Sequence, residues 1–360
     1  VIYAEYPDAS WRIENRKDFN ESVFKQISID THYTVKNDLS LNLVIGANDS
    51  DYQQPKLNKV NIIADDLHII TDFRQDPFYG TSYSPNFDTT NPSKFKVKDL
   101  YFQENYVDTN VFNSKIELIY DVNHEVELQL GLTHSTLKNS GHDRVFSYYP
   151  AAESAEHGES GLLSLKNTQV FSQHPDLEWV EADIDEIQSY YGLNDLSLSS
   201  EYVIPSTNFN VEEKTNAFYA VLKSENNTDT YPINYQIGLR WFQTDLSSIG
   251  LSKGNLTQRD RSYAKWLPSF NVVWDFADEM LLRFGTSKNI TRPSLSDLSY
   301  SANVSQASRA EGEIGNISIG NPELSPFESV NIDSSYEWYF NDQGLLSFSL
   351  FYKNINNFVI

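Results

Sequence analysis

The strongest constraint on this chain is a period of two. In YPINYQIGLRWF, residues 231–242, one parity carries Ile233, Tyr235, Ile237, Leu239 and Trp241, and the other Asn234, Gln236, Gly238 and Arg240. Successive side chains of a β-strand point to opposite faces, so this segment has one apolar and one polar face. The same alternation sets Leu39, Leu41, Leu43 and Ile45 against Ser40, Asn42, Val44 and Gly46. It returns where Val126, Leu128, Leu130 and Leu132 interleave with Glu127, Gln129 and Gly131.

The runs come in pairs around short polar breaks, which predicts hairpins turning at residues 36–38, 121–125, 225–230, 275–279 and 341–344. Between the pairs lie long connections, at roughly 50–103, 138–213, 247–262 and 292–325. Short turns at one end and long loops at the other are the asymmetry of an outer-membrane barrel, whereas a soluble sandwich has no reason to sort its loops. Tyr336, Trp338 and Phe340 share one parity beside a short turn, as do Trp274 and Phe276 beside theirs. Rings so placed suit the girdle that a membrane barrel carries at its interface, although aromatics of a sandwich core are the alternative. One long connection holds a helical period: Trp179, Val180, Ile184, Ile187 and Tyr191 predict a helix over 178–191, with Asp176 as cap and a lid as its role.

Composition narrows the function. The chain has no cysteine and one methionine, which excludes disulfide scaffolds and cysteine-based metal sites. Its formal net charge of −23 argues against nucleic acid as a partner, since a phosphate backbone needs a basic footprint. No run of 18 apolar residues is present, so no helix is expected to span a bilayer. His32, His68, His124, His134, His142, His157 and His174 show no tight ligand spacing, and no EF-hand pattern appears. The abundant carboxylates single out no glycosidase pair. No catalytic set, cofactor or metal is therefore expected.

From about Tyr263 onward the pattern becomes specific. The stretches LPSFNVVWDF, LLRFGTSKNITRPSLSDL, GNPELSPFESVNIDSSYEWYF and GLLSFSLFYKNINNFV resemble the late barrel of TonB-dependent receptors. The order of Arg292–Pro293, of Gly320, Asn321, Pro322 and Pro326, and of Glu337, Trp338 and Tyr339 before Phe351, Tyr352 and Lys353 carries the likeness. NAFYAVLKSE and INYQIGLRWFQTD are similar to the hairpin that the family places upstream. The branch most resembled is often linked to carbohydrate uptake.

The resemblance implies an all-β fold, an antiparallel transmembrane β-barrel with long extracellular loops. Five hairpins supply about 10 strands of a barrel of about 22. Residues 1–360 are thus expected to form a partial barrel domain, with the plug domain and final strands lying outside them. The implied function is uptake of an oligosaccharide or other small ligand across the outer membrane. Its implied partners are the TonB complex, reached through the plug, and outer-membrane lipid. A soluble all-β carbohydrate-active enzyme and an adhesin without transport are the alternatives; an enzyme would bury Ile233, Tyr235, Ile237 and Leu239 in a core.

Six residues are ligand-binding candidates. Tyr148, Tyr149, Trp179 and Trp266 are aromatic residues of long loops that can stack on sugar rings or pack on one another. Arg240 and Arg283 fall on the polar parity of their strands, facing the lumen, where contact with a plug or a solute is open to them. Arg292–Pro293 and Gly320–Asn321–Pro322 are read as turn signals, since Gly, Asn and Pro dominate turns for conformational reasons.

Overall fold

The computed structural model describes residues 3–72, 82–85, 88–150, 169–174, 177–194, 196–226, 230–252, 255–304 and 317–357. The strands are β1 (Tyr3–Lys36), β2 (Leu39–Asp72), β3 (Ser82–Pro85), β4 (Lys96–Asp121), β5 (Val126–Tyr148), β6 (Gln169–His174), β7 (Leu177–Glu181) and β8 (Phe209–Ser224). They continue with β9 (Ile233–Ser252), β10 (Asn255–Ala277), β11 (Met280–Thr291), β12 (Ala302–Val304), β13 (Ile317–Ile319), β14 (Phe327–Asn341) and β15 (Gly344–Asn356). The helix α1 spans Ile184–Tyr190. The main sheet is an up-and-down meander, β1-β2-β4-β5-β8-β9-β10-β11-β14-β15, with β3 added to β2.

The turns fall where the polar breaks are. Only Asn37 and Asp38 separate β1 from β2, and only Asp342 and Gln343 separate β14 from β15. Asn123 Oδ1 accepts the backbone N–H groups of Glu125 and Val126 at 2.9 Å each, and Asn341 Oδ1 accepts that of Gln343 at 2.9 Å. These side chains take over backbone donors that the ladder leaves free. Glu279 turns the β10–β11 hairpin at φ 59°, in the left-handed region.

The long connections are shorter than the sequence suggests. Strand β2 runs on to Asp72, β5 to Tyr148, and β9 and β10 nearly meet across residues 253–254. The expected helix over 178–191 is also corrected: Trp179 and Val180 lie in β7, and α1 begins only at Ile184. Its cap is Asp183, whose carboxylate accepts the Glu186 N–H at 3.0 Å. Asp176, the expected cap, lies outside the described residues.

By its internal contacts the chain divides into two compact units. The first comprises Val1–Glu21, Tyr52–Tyr106 and His142–Ile204, the ends of β1, β2, β4 and β5 remote from the short turns together with β6, β7 and α1. Its core includes Ile13, Val60, Ile62, Phe95, Val97, Leu100, Val180 and Ile187. Strand β2 changes parity inside this core. Val60, Ile62 and Ala64 are buried on even numbers and Leu67 and Ile69 on odd ones, with Asp66 at φ 59° between them. An extra residue in one strand of a pair does this, because each single-residue slip exchanges the faces.

The second unit comprises Ser22–Asp51, Val107–Gly141 and Pro205–Ile360. Registers Leu132↔Phe218, Phe218↔Trp241 and Trp241↔Trp266 align one row of large side chains across β5, β8, β9 and β10. Nearer the turns, Leu222↔Ile237, Ile237↔Phe270 and Val272↔Phe284 align another on the same face. This face stays open: Ile237, Leu239, Leu132 and Phe348 are all exposed. A soluble enzyme would cover such a surface, as large contiguous apolar patches are rare on soluble monomers.

Two aromatic bands bound the apolar face. One is Phe218, Trp241 and Trp266, with ring centroids 5.6 Å apart for Phe218–Trp241 and Phe218–Trp266. The other, beside the turns, joins Trp274 to Phe276 at 5.7 Å, Phe276 to Tyr336 at 6.1 Å and Trp338 to Phe340 at 5.5 Å. From Trp266 to Trp274 the strand rises about 3.3 Å per residue, which at a tilt of about 40° gives a band about 20 Å tall. That approaches the ~25 Å apolar belt of an outer-membrane barrel. The short turns accordingly face the periplasm. Cysteines replacing Asn37 and Asp342 are therefore expected to resist an impermeant maleimide in intact cells, and one replacing the exposed Ser199 to react; equal labelling at all three would reverse the assignment.

Candidate functional site

On the polar face between the bands, a chain of hydrogen bonds crosses five strands. His32 Nδ1 lies 2.6 Å from Asn42 Oδ1, Asn42 Nδ2 donates to Glu117 Oε2 at 3.1 Å, and Lys115 pairs with Glu117 at 2.9 Å. Tyr219 reaches Glu117 from β8 and donates its hydroxyl, although β5 lies between them. Gly131 makes this possible. A Cβ at that position would stand 2.1 Å from the Tyr219 ring. Among the described residues Arg240 donates only to Thr133 Oγ1, at 3.3 Å. Arg283 is held more firmly: Nε and Nη2 bond the two oxygens of Glu337 at 2.9 and 3.4 Å, and Tyr339 donates to the same carboxylate at 2.8 Å.

Beyond the Phe218–Trp241–Trp266 band the polar parity is no longer solvated. Val211, Glu213 and Thr215 on β8, and Phe242, Thr244, Leu246 and Ser248 on β9, are buried there. What buries them is the segment that follows β11. Leu298 packs against Val211 and Leu246, the Tyr300 N–H donates to Ser248 Oγ at 2.9 Å, and Ser301 Oγ donates to the Asn208 carbonyl at 2.6 Å. Gly250 admits the segment, since a Cβ there would lie 2.3 Å from the Tyr300 carbonyl carbon.

Two arginines fasten it. Arg292 Nη2 donates to Thr215 Oγ1 at 3.0 Å and Thr244 Oγ1 at 3.2 Å, and Nε donates to the Tyr263 hydroxyl at 3.3 Å. Its guanidinium lies 5.7 Å from the Phe242 ring centroid and 3.9 Å from the Glu213 carboxylate. Burial pushes the Glu213 carboxyl above its usual range, and the positive charge of Arg292 opposes that shift. Arg261 holds the returning chain by donating to the Leu324 carbonyl at 2.7 Å and Ser325 Oγ at 3.0 Å. The two ends of the excursion meet where the Asn321 N–H donates to the Asp297 carbonyl at 2.7 Å.

The candidates from sequence separate on this framework. Arg240 and Arg283 stand on the polar face, as expected. Trp266 does not lie in a loop: it is in β10, half exposed on the apolar face and packed against Phe218 and Trp241. Tyr148 and Trp179 pack against the core of the first unit, and Tyr148 lies 5.3 Å from the Tyr191 ring. Tyr149 is 54% exposed. The structure does not gather these six into one site. The residues that do converge, Arg292, Glu213, Thr215, Thr244 and Arg261, escaped the sequence reading. Arg292–Pro293 was legible as a turn, but the partners of its guanidinium lie 48 and 77 residues away along the chain.

A sheet with one exposed apolar face, aromatic bands at both its margins and a polar opposite face is the wall of an outer-membrane β-barrel. The TonB dependent receptor-like, beta-barrel family model matches residues 57–360, and the chain belongs to that family of outer-membrane receptors of Gram-negative bacteria. A comparison with curated proteins gives no match. Among solved structures, the ferric citrate transporter FecA in its unliganded form is 11% identical, with 93% of this chain and 43% of that one covered and a TM-score of 0.37. A double mutant of the Serratia marcescens hemophore receptor HasR, in complex with its hemophore HasA and heme, is 8% identical over 97% of this chain and 45% of that one, at a TM-score of 0.39. The FrpB iron transporter from Neisseria meningitidis, in apoprotein form, is 8% identical over 93% and 44%, also at 0.39. This chain spans less than half the length of these three.

Proposed function

We propose that the chain is the barrel wall of a receptor that takes up an oligosaccharide or another small nutrient, with force delivered by the TonB complex to a plug domain. The observation that carries this reading is the segment after β11, latched onto the polar face by Arg292 just beyond the upper aromatic band. Its Ser294, Ser296 and Asp297 line one cleft with Asn321, which supports contact with a solute there. Arg240, with a single long bond to Thr133, has donors left for a plug surface. Arg283, neutralised by Glu337, acts as part of the polar lining. Tyr149 remains a ligand contact by virtue of its exposed ring. The test is accumulation of a labelled oligosaccharide by cells carrying the full receptor gene. Uptake is expected to stop on deletion of TonB and on addition of a protonophore. Uptake that persists without TonB would overturn the energised reading in favour of passive binding.

A further inference from the structure

On the apolar face of the second unit, where β1, β2, β4 and β5 run side by side, lies an open cleft of about 660 Å³. Its lining includes Ile27, Ala47 and Phe112 together with Lys25, Asp49 and Lys138. We propose that this cleft binds a phosphorylated glycolipid of the outer leaflet, with Lys25 and Lys138 on its phosphates and Ile27 and Phe112 beneath an acyl chain.

Parity places the cleft. Thr136 and Lys138 of β5 share the parity of Leu132, which pairs with Phe218 of the upper band. The Phe112 ring lies 6.1 Å from that of His134, which has the same parity. On β1 the exposed Ile29 and Ile27 are followed on their face by Lys25. On β2 Leu43, Ile45 and Ala47 give way to Asp49, and on β5 Leu130 and Leu132 give way through His134 and Thr136 to Lys138. The cleft thus straddles the upper margin of the lipid-facing belt, with an apolar floor continuous with that belt and a charged rim above it. An acyl chain meets its headgroup at this boundary.

The rim selects among lipids. Lys25, Lys138 and Lys214 stand there against Asp49 and Glu212. Lys25 makes no ion pair among the described residues. Glu212 is held by Lys214 at 2.7 Å, while Lys138 stands 3.6 Å from it with its side chain 53% exposed, so the Lys138 ammonium is open to a phosphate. Strands β1 and β5 are three spacings apart, about 14 Å at ~4.8 Å each, with Asp49 and Asn110 between the two lysines. A short sugar backbone with a phosphate at each end spans that distance. Its hydroxyls then donate to Asp49, so the carboxylate between the cations contributes instead of repelling. A glycerophospholipid brings one phosphate and leaves one lysine and Asp49 without partners.

The experiment uses the full-length receptor, stripped of lipid by detergent exchange and titrated under native mass spectrometry. The probes are diphosphorylated lipid A, the same lipid A after phosphatase treatment, and phosphatidylglycerol. Diphosphorylated lipid A is expected to bind ten times or more tightly than either of the others. Lys25→Gln combined with Lys138→Gln should weaken that binding about thirtyfold, from the contribution of each lysine near anionic lipid. Lys353→Gln, on the polar parity of β15, should leave it unchanged. Both lysines of the cleft are exposed, so the double variant is expected to keep the parent's unfolding transition. Undiminished lipid A binding by the double variant overturns the cleft as the site, as does an equal loss in Lys353→Gln. Equal binding of the phosphatase-treated lipid overturns the part given to the phosphates, and phosphatidylglycerol bound as tightly as lipid A overturns the glycolipid.

Discussion

Replacing Ile237 with Arg is expected to destabilise the assembled barrel by about 2–4 kcal/mol, the cost of a cation on the lipid face near the bilayer midplane. Register supplies the depth. Ile237 stands midway on β9 between Trp241 in the upper band and Ile233, which pairs with Trp274 in the lower one. The neighbouring Gln236 points to the polar face, so Gln236→Arg is expected to cost about 1 kcal/mol or less, as an exposed substitution does. Urea titrations of the receptor folded into lipid vesicles measure both. Equal losses at the two positions would mean that the faces have been exchanged.

The second large effect is expected at Arg292. Thr215 and Thr244 already bond each other at 2.8 Å, so Arg292→Ala leaves chiefly the buried Glu213 without its cation. Arg292 is itself 38% exposed and 3.9 Å from that carboxylate, so the lost attraction is on the order of 1 kcal/mol, and here the loss is read as release of the segment that Arg292 fastens. Hydrogen exchange over residues 293–301 should accelerate, and Glu213→Gln in the same protein should slow it again. Acidity gives a further check. Glu213 titrates above its unfolded value, so its contribution to docking is fully present below that value and is lost as pH rises through the folded one. Protection in Arg292→Ala should therefore recover as the solution is acidified from neutral. Unchanged exchange over 293–301 would remove Arg292 as the latch.

The parity of the strands, the five turns and the lower aromatic band were legible in the sequence because each is local. A two-residue period can be read along one strand, and a turn announces itself through the side chains that cap it. The upper band was not. Trp266 sits eight residues before Trp274 with the same parity, but only the pairing with Trp241 shows that it closes a row rather than hangs in a loop. The far end of β2 was read as a connection because its apolar residues lose their alternation at Asp66, and because packing on both sides, with Leu57 as well as Val60 and Ile62 buried, removes the polar face that marks a strand. Trp179 and Val180 fit a helical period by spacing alone, and pairing with β6 overrode it. Long-range pairs such as Arg292 with Thr215 leave no trace in local pattern at all.

The meander order has a kinetic corollary. In a sheet where neighbours in space are neighbours in sequence, the entropy of loop closure is low where the connection is short, at the five turns and between β9 and β10, and high where it is long. Strands β1 and β2, and β14 and β15, close across two residues, whereas β5 reaches β8 only across residues 149–208. On the logarithmic law for loop closure the difference is on the order of 3 kcal/mol. Hairpins should thus zip first from their short connections, at the periplasmic ends and, for β9 with β10, from the opposite end. The β5–β8 seam then joins late, and Tyr219 settles over Gly131 only after both partners are in place.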